Sequence, residues 1–471
     1  MSRKLQCKSV PSSWIEESGT RRLDSRPYLS GAIEAKILLE QLPTEPIKDL
    51  APGGMNGVVI SPYFKRVYID ANEHSIPLLG NTDILMVDHT QCADRLARKI
   101  YEAHGDGLKL VEGATLITCF GTVGRMSYCR SDMAECAAST NFMRINPNWE
   151  KIKPGYLYCF LSSKFGIPLV TQNETGSVVP NLLPSHIAEL PVPRLGTTEE
   201  LAHDLIHGAA ALRVQAAEIL RAAGNMVNEH FGFPEKLALS HRIFSCSIAS
   251  SSVLLKRLEA TYHDAVAQES DRLIAGVPRK DEFSTLGIAI SETGRLKQVF
   301  VDEEYGAPFL TSGEIFRQRY EPTRFLSNRL LPDESEWATQ EGDLLLARSG
   351  QVGGIIGRGV WADRRFAGGC VSVDVLRLSA QNSQILPGYL YAYLFLTDVG
   401  YRQLIRTAAG GSIPHLSAPD VSRLLIPRCD SALEAEINEL VWSAGHKRAE
   451  AQEKEDQART LVERTIEEGG C

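Results

Sequence analysis

The feature that most restricts this chain is that it repeats itself, in order, at an offset of about 230 residues. Ile76-Pro77-Leu78-Leu79 answers to Ala307-Pro308-Phe309-Leu310. Glu112-Gly113, then after a short gap Phe120-Gly121-Thr122-Val123-Gly124, answers to Glu341-Gly342 and Ser349-Gly350-Gln351-Val352-Gly353. Pro154-Gly155-Tyr156-Leu157-Tyr158 recurs unchanged as Pro387-Gly388-Tyr389-Leu390-Tyr391. Gly176-Ser177, Pro180-Asn181-Leu182 and Pro193-Arg194 recur as Gly411-Ser412, Pro414-His415-Leu416 and Pro427-Arg428. So long a period excludes a solenoid unit and implies duplicated domains.

Each copy reads as α/β. Leu116 to Phe120 and Leu344 to Ala347 are short apolar runs closed by a glycine turn, the pattern of buried strands. Pro154 and Pro387 suit the first turn of a helix, expected to end near Gly166 and Gly400. After each copy the pattern becomes helical. Thr197 with Glu200, and Ser431 with Glu434, have the spacing of capping boxes. Leu205, Leu212, Ile219 and Met226 then recur by sevens, with Ala209, Ala216 and Ala223 in the alternate seam. Ala444, Ala451 and Ala458 form the matching column in the second helix, and Lys447 and Lys454 share that seam. The expected architecture is α/β: a first domain over 1–196, a long helix over 197–231, a linker over 232–256, a second domain over 257–429 and a second long helix over 430–468. The two helices are expected to pair as an antiparallel coiled coil.

Composition narrows the functions. The net charge is −8. The two α/β blocks, 1–195 and 272–428, are each at +1, and the acidic excess sits at −4 over 196–271 and −6 over 429–471. Nucleic-acid binding is compatible with that distribution, but strong non-specific binding by the isolated chain is not expected. The ten cysteines form no C-x-x-C pair, so they read as free thiols and not as a zinc or redox site. No apolar run reaches the ~18 residues that span a bilayer, and the start of the chain lacks the apolar stretch of a signal peptide. The expected location is the cytoplasm.

The Gly121–Gly124 and Ser349–Gly353 turns, Pro-Asn-Leu and Pro-His-Leu after a Gly-Ser, and the closing Pro-Arg pairs resemble the specificity (S) subunits of Type I restriction-modification systems. Arg22-Leu23-Asp24 and Arg257-Leu258-Glu259, each followed by a tyrosine (Tyr28, Tyr262), belong to the same resemblance. It covers nearly the whole chain. It implies two target-recognition domains that read a bipartite, asymmetric DNA site. It implies partners as well: double-stranded DNA, two DNA methyltransferase subunits, and a nuclease-translocase subunit. No cofactor is expected on this chain; S-adenosylmethionine, ATP and magnesium would belong to the partners. Residues 1–21 and the Ser-rich 231–256 stretch depart from the family pattern and leave room for a relative in another methylation-linked phage-defence complex.

A search for catalytic groups favours the same non-enzymatic reading. The chain has no Gly-Lys dipeptide and so no phosphate-binding P-loop. Asn146-Pro147-Asn148-Trp149 lacks the second proline of an amino-methyltransferase tetrapeptide and reads as a turn. Glu34-Ala35-Lys36 has no Pro-Asp partner and reads as a helix face. His203 and His207 lie one helical turn apart without a third metal ligand. Gly105-Asp106-Gly107 reads as a loop. The rivals are a self-contained nuclease, which a purified chain with magnesium and plasmid would expose, and a scaffold that does not touch DNA.

DNA contact calls for cations at phosphates and planar polar groups at base edges. The candidates are Arg95, Arg98 and Lys99 in the first copy and Arg317, Arg319 and Arg324 in the second, within or beside the most divergent segments. The glycine turns add Thr122, Arg125, Arg348, Ser349 and Gln351, and the following motif adds Ser177, Asn181, Ser412 and His415.

Overall fold

The computed structural model describes residues 7–17, 25–53, 57–172, 180–237, 257–292, 298–331 and 337–469. Arg22-Leu23-Asp24, Gly176-Ser177 and most of the 232–256 linker lie outside the described residues. The chain divides into two compact units, Met1–Val214 with Glu450–Cys471, and Gln215–Ala449. Each long helix, Thr197–Phe231 and Ser431–Glu467, therefore contributes one half to each unit. The physical reason is shared cores: the helix halves bury their apolar residues in the same clusters as the α/β elements of their unit.

The strands of the first unit are β1 (Thr44–Pro46), β2 (Val58–Ile60), β3 (Ser75–Leu79), β4 (Asp94–Ala97), β5 (Thr115–Thr118), β6 (Met126–Tyr128), β7 (Ala137–Ala138), β8 (Phe142–Ile145) and β9 (Pro191–Pro193). They form a β1-β9 ribbon, a four-stranded sheet ordered β2-β8-β5-β6, and a three-stranded sheet ordered β4-β3-β7. β5 is buried at every position, its apolar Leu116 and Ile117 flanked by the equally buried Thr115 and Thr118.

The second unit has β10 (Lys280–Glu282), β11 (Ala289–Glu292), β12 (Phe300–Val301), β13 (Gly306–Leu310), β14 (Phe325–Ser327), β15 (Leu344–Ala347), β16 (Gly359–Trp361), β17 (Cys370–Val371), β18 (Val375–Ser379) and β19 (Leu425–Pro427). Its sheets are β10-β19, β11-β18-β15-β16 and β12-β14-β13-β17. The order of partners is that of the first unit, strand for strand. The pairing in the third sheet carries one parallel step in each, Leu78 with Ala137 and Phe309 with Cys370. Even β12 has a counterpart, since Tyr68 bridges Leu96 as Phe300 pairs with Leu326.

The repeated Pro-Gly-Tyr segments open the helices Pro154–Leu161 and Pro387–Tyr391. Contrary to the expectation from the sequence, Gly166 and Gly400 do not end them. They sit at the start of the following helices, Gly166–Thr171 and Asp398–Ile405, against the carbonyl oxygens of Phe160 and Tyr393, where a side chain has no room.

The helix seam also differs from the expected one. Leu205, Leu212, Ile219 and Met226 are only half-buried; the fully buried columns are Ala202, Ala209, Ala216, Ala223 and Ile206, Arg213, Leu220, Val227. The second helix buries Ile437, Ala444, Ala451, Ala458, Thr465 and, in its other column, Glu434, Val441, Arg448, Glu455, Val462. Lys447 and Lys454 lie beside these columns, half-buried, and not in them. Within the first unit the two helix halves run antiparallel: Thr198 meets Thr465 at 3.3 Å and Arg213 meets Glu455 at 2.6 Å. Within the second, Gln215 accepts from Lys447 Nζ at 2.9 Å.

The capping boxes are replaced by a different device. Arg194 grips Glu199 with Nε–Oε1 at 2.9 Å and Nη2–Oε2 at 3.0 Å, and reaches Glu45 at 2.6 Å. Glu200 pairs with Lys153 instead. In the second unit Arg428 grips Glu434 at 2.7 and 2.9 Å and Asp281 at 2.9 Å, while Asp430 caps the helix by accepting from Leu433 N. The closing Pro-Arg of each copy thus ties the end strand to the first turn of the long helix, where the acidic residue also complements the helix dipole. These bidentate bonds, against some burial, raise the pKa of both arginines.

Candidate nucleic-acid interface

In each unit the two repeated motifs meet. At the end of β5 the chain turns through Phe120-Gly121-Thr122-Val123-Gly124, and Pro180-Asn181-Leu182 lies alongside. Gly121 N donates to Pro180 O at 3.2 Å, Leu182 N donates to Cys119 O at 3.0 Å, and Phe120 bridges Asn181. In the second unit Gly350 N donates to Pro414 O at 3.3 Å, Leu416 N donates to Arg348 O at 2.9 Å, and Ser349 bridges His415. The same three links join segments that are roughly 60 residues apart, a separation at which only tertiary structure brings them together.

The turns differ in length, which the sequence comparison hides. The first closes where Gly124 N donates to Thr118 O at 2.9 Å, six residues on; the second closes where Gly357 N donates to Ala347 O at 3.0 Å, ten residues on. Gly357, not Gly353, is therefore the partner of Gly124; both have positive φ, +79° and +75°. The flanking arginines are re-paired accordingly. Thr118 N donates to Arg125 O and Ala347 N donates to Arg358 O, so Arg358 is the counterpart of Arg125, and Arg348 is the counterpart of Cys119. Burial pushes the Cys119 thiol up to about 12.

The cations at this junction do different things. Arg125 is exposed and among the described residues no side-chain partner meets it. Arg358 sits over the Tyr401 ring, its Cζ 3.9 Å from the ring centre. Arg348 is tied into the framework: Nε donates to Leu416 O at 2.9 Å, Nη1 to Val373 O at 3.4 Å, and Nη2 lies 3.4 Å from Glu292. The polar tips face water. Thr122, Gln351, Ser412 and His415 are exposed, and Ser349 Oγ and His415 Nδ1 share a hydrogen at 2.7 Å. Thr118 Oγ1 donates to Thr122 O and accepts from Arg125 N, which fixes the first turn from inside. Asn181 is half-buried beside it. Ser177 lies outside the described residues.

The remaining candidates lie on the third sheet of each unit or on the segments that adjoin its strands in sequence. Arg95 on β4 donates from Nε to Ser75 Oγ at 2.7 Å. Arg324, just before β14, covers the Phe300 and Phe309 rings at 5.2 and 5.3 Å. Arg319 pairs with Glu321. Arg317 is half-buried; Arg98 and Lys99 are exposed at the start of the helix Arg98–His104. The structure therefore brings the turn residues together; these others lie on different elements, Arg95 on β4, Arg98 and Lys99 on the helix after it, and Arg317, Arg319 and Arg324 ahead of β14. The divergent segments also hold one common element, since β4 and β14 pair with β3 and β13 in the same register.

His203 proves to be a structural group. Its Nδ1 accepts from Gly155 N at 3.1 Å, as Asn438 Oδ1 accepts from Gly388 N at 2.9 Å. Burial, then the neighbouring His207, lowers its pKa. Among the described residues no three His, Cys, Asp or Glu gather as a metal site, and no helix is long and apolar enough to cross a membrane.

Sequence reasoning passed over one further group at the edge of the third sheet: Tyr63, Lys65, Arg66 and Tyr68, all exposed. The signal was present as cations interleaved with aromatics, but the stretch lies outside the repeated motifs; its Val67 and Tyr68 hold the places of Val299 and Phe300.

No family model and no curated protein matches the chain. Solved structures do. The chain is similar to the HsdS subunit from Thermoanaerobacter tengcongensis at 12% identity, over 91% of this chain and 96% of that one, with a TM-score of 0.27. It is similar, at 13% identity over 90% of this chain and 98% of that one and with the same TM-score, to a structure described as the structural basis underlying complex assembly and conformational transition of the type I R-M system.

Proposed function

We propose that the chain is the DNA-reading specificity subunit of a Type I restriction-modification system or of a close relative in methylation-linked phage defence. Its two α/β units each read half of a bipartite, asymmetric site, and the subunit tethers two methyltransferase subunits and a nuclease-translocase. Catalysis, S-adenosylmethionine, ATP and magnesium belong to those partners.

One observation carries the reading: the glycine turn and the Pro-x-Leu segment are joined by the same three links in both units, with different side chains displayed on them. Phe120 and Asn181 stand where Ser349 and His415 stand. A shared junction that carries different side chains and turns of different length suits the reading of two unlike half-sites, because backbone contacts set register and side chains at base edges set sequence.

The test uses the purified full-length chain. With magnesium and plasmid it leaves the DNA intact; with methyltransferase subunits added, it retards a duplex carrying the target. Cleavage by the chain alone, or no retardation with the subunits present, overturns the proposal.

A further inference from the structure

We propose that the edge segment Tyr63–Tyr68 of the first unit is a clamp for the DNA sugar-phosphate backbone, separate from the glycine-turn junction. The inference rests on the DNA-reading function above and adds a contact of a different kind to it.

The segment leaves β2 and runs along the open edge of the third sheet. It is held there firmly. Ala97 N donates to Val67 O and Ile69 N donates to Arg95 O, both at 3.0 Å, and Tyr68 bridges Leu96. Ser61 Oγ donates to Ala138 O at 2.9 Å, and Phe64 packs on His104 with ring centres 5.0 Å apart. Pro62 fills the space beside Gly107. The backbone is therefore pinned at both ends and in the middle.

What this rigid strip displays has no use for the fold. Tyr63 is 88% exposed and Tyr68 49%. Lys65 is exposed, and among the described residues no carboxylate pairs with it. Arg66 is held in place by neutral groups, donating to Thr140 Oγ1 at 3.2 Å and to Tyr68 Oη at 3.3 Å, so its charge is not cancelled. Two exposed tyrosines and two uncancelled cations over six residues make a set of donors without a carboxylate between them. Lysine, arginine and tyrosine side chains supply such donors to phosphate oxygens, the acceptors that a duplex of any sequence presents.

Fluorescence anisotropy with the full-length chain, its methyltransferase subunits, and duplexes with and without the target tests this. Lys65→Ala is expected to weaken both duplexes alike and to lower the slope of log K against log salt by about 0.9. Tyr63→Phe, which keeps the ring and loses the hydroxyl donor, is expected to weaken both about threefold to tenfold. An unchanged salt slope in Lys65→Ala, or a loss confined to the target duplex, overturns the clamp while leaving the reader intact. If the unaltered complex binds neither duplex, the reader and the clamp fall together.

Discussion

Arg213 and Glu455 face each other inside the first unit with 2.6 Å between Nη1 and Oε1, and both side chains are almost wholly buried. They occupy positions in the two helical columns, where most of the other buried residues are alanine, valine, leucine and isoleucine. A charge kept in such a place depends on its partner. Removing Arg213 leaves the buried Glu455 carboxylate to the more distant Arg459, 4.0 Å away, whereas removing both takes the buried pair out of the seam. Arg213→Met alone is expected to destabilise the protein by about 3–5 kcal/mol, and Arg213→Met with Glu455→Leu by much less. Urea unfolding of the two variants measures this; equal losses would contradict it.

The re-pairing of arginines at the glycine turns separates stability from binding. Arg125→Ala is expected to leave the unfolding midpoint unchanged within about 0.5 kcal/mol and to weaken DNA binding by about 1–3 kcal/mol. Arg348→Ala releases Leu416 O and Glu292, so it is expected to lower the unfolding midpoint before any effect on DNA is seen. Thermal unfolding beside a binding titration distinguishes the two; Arg125→Ala with a lowered midpoint and normal binding would refute the assignment.

Gly155 and Gly388 start helices that lie directly on the long-helix backbone of their own units. A Cβ at either would stand 2.9 Å from His203 Cα or 2.8 Å from Asn438 Cα. Gly155→Ala and Gly388→Ala are each expected to cost about 1–3 kcal/mol by overpacking, although alanine is the better helix former. Substitution at Gly313, where no atom lies within 4 Å, is the control, and denaturant unfolding is the readout.

His89 is buried beside Arg130, with Nη2 3.0 Å from its Nδ1, and burial followed by that cation lowers its pKa from the ordinary 6.5. Burial would raise the Asp132 carboxyl, but the Arg130 charge and hydrogen bonds outweigh it and hold that pKa below 3.8. Both folded values are depressed, so the unfolded chain binds more protons as pH falls. The contribution of His89 is complete above about 6.5 and is lost as pH falls from there through its lowered folded value. Asp132 acts in the same direction further down. His89→Gln, which keeps an acceptor for Arg130, is expected to flatten the decline in stability just below pH 6.5, measured by denaturant midpoints across pH. A parallel curve would contradict the assignment.

Much of this was legible before any coordinates. Buried strands such as Leu344–Ala347 are runs of apolar residues, and the tyrosines of both Pro-Gly-Tyr segments reach the same carbonyls, those of Pro193 and Pro427. What stayed hidden was hidden for physical reasons. Arg213 and Glu455 sit in the seam, but a hydrophobic pattern skips charges and so settles one residue away. The second Gly-x-Val-Gly looked like a complete match because its longer loop, closing only at Gly357, happens to contain a second glycine at the same spacing. Arg130–Asp132 and Asp363–Arg365 are equivalent ion pairs with the signs reversed, 3.0 and 2.7 Å long. An identity comparison sees two differences there, where the fold keeps one interaction.

The central claim, that two unlike half-sites are read by two like frameworks, is tested most directly by mapping methylated bases in the host genome with the chain present and with it deleted. The account predicts one bipartite, asymmetric sequence with an unread spacer, methylated only when the chain is present. It also predicts that exchanging the 349–357 turn alters one half of that sequence and not the other. A palindromic site, or a methylation pattern indifferent to the chain, would contradict it.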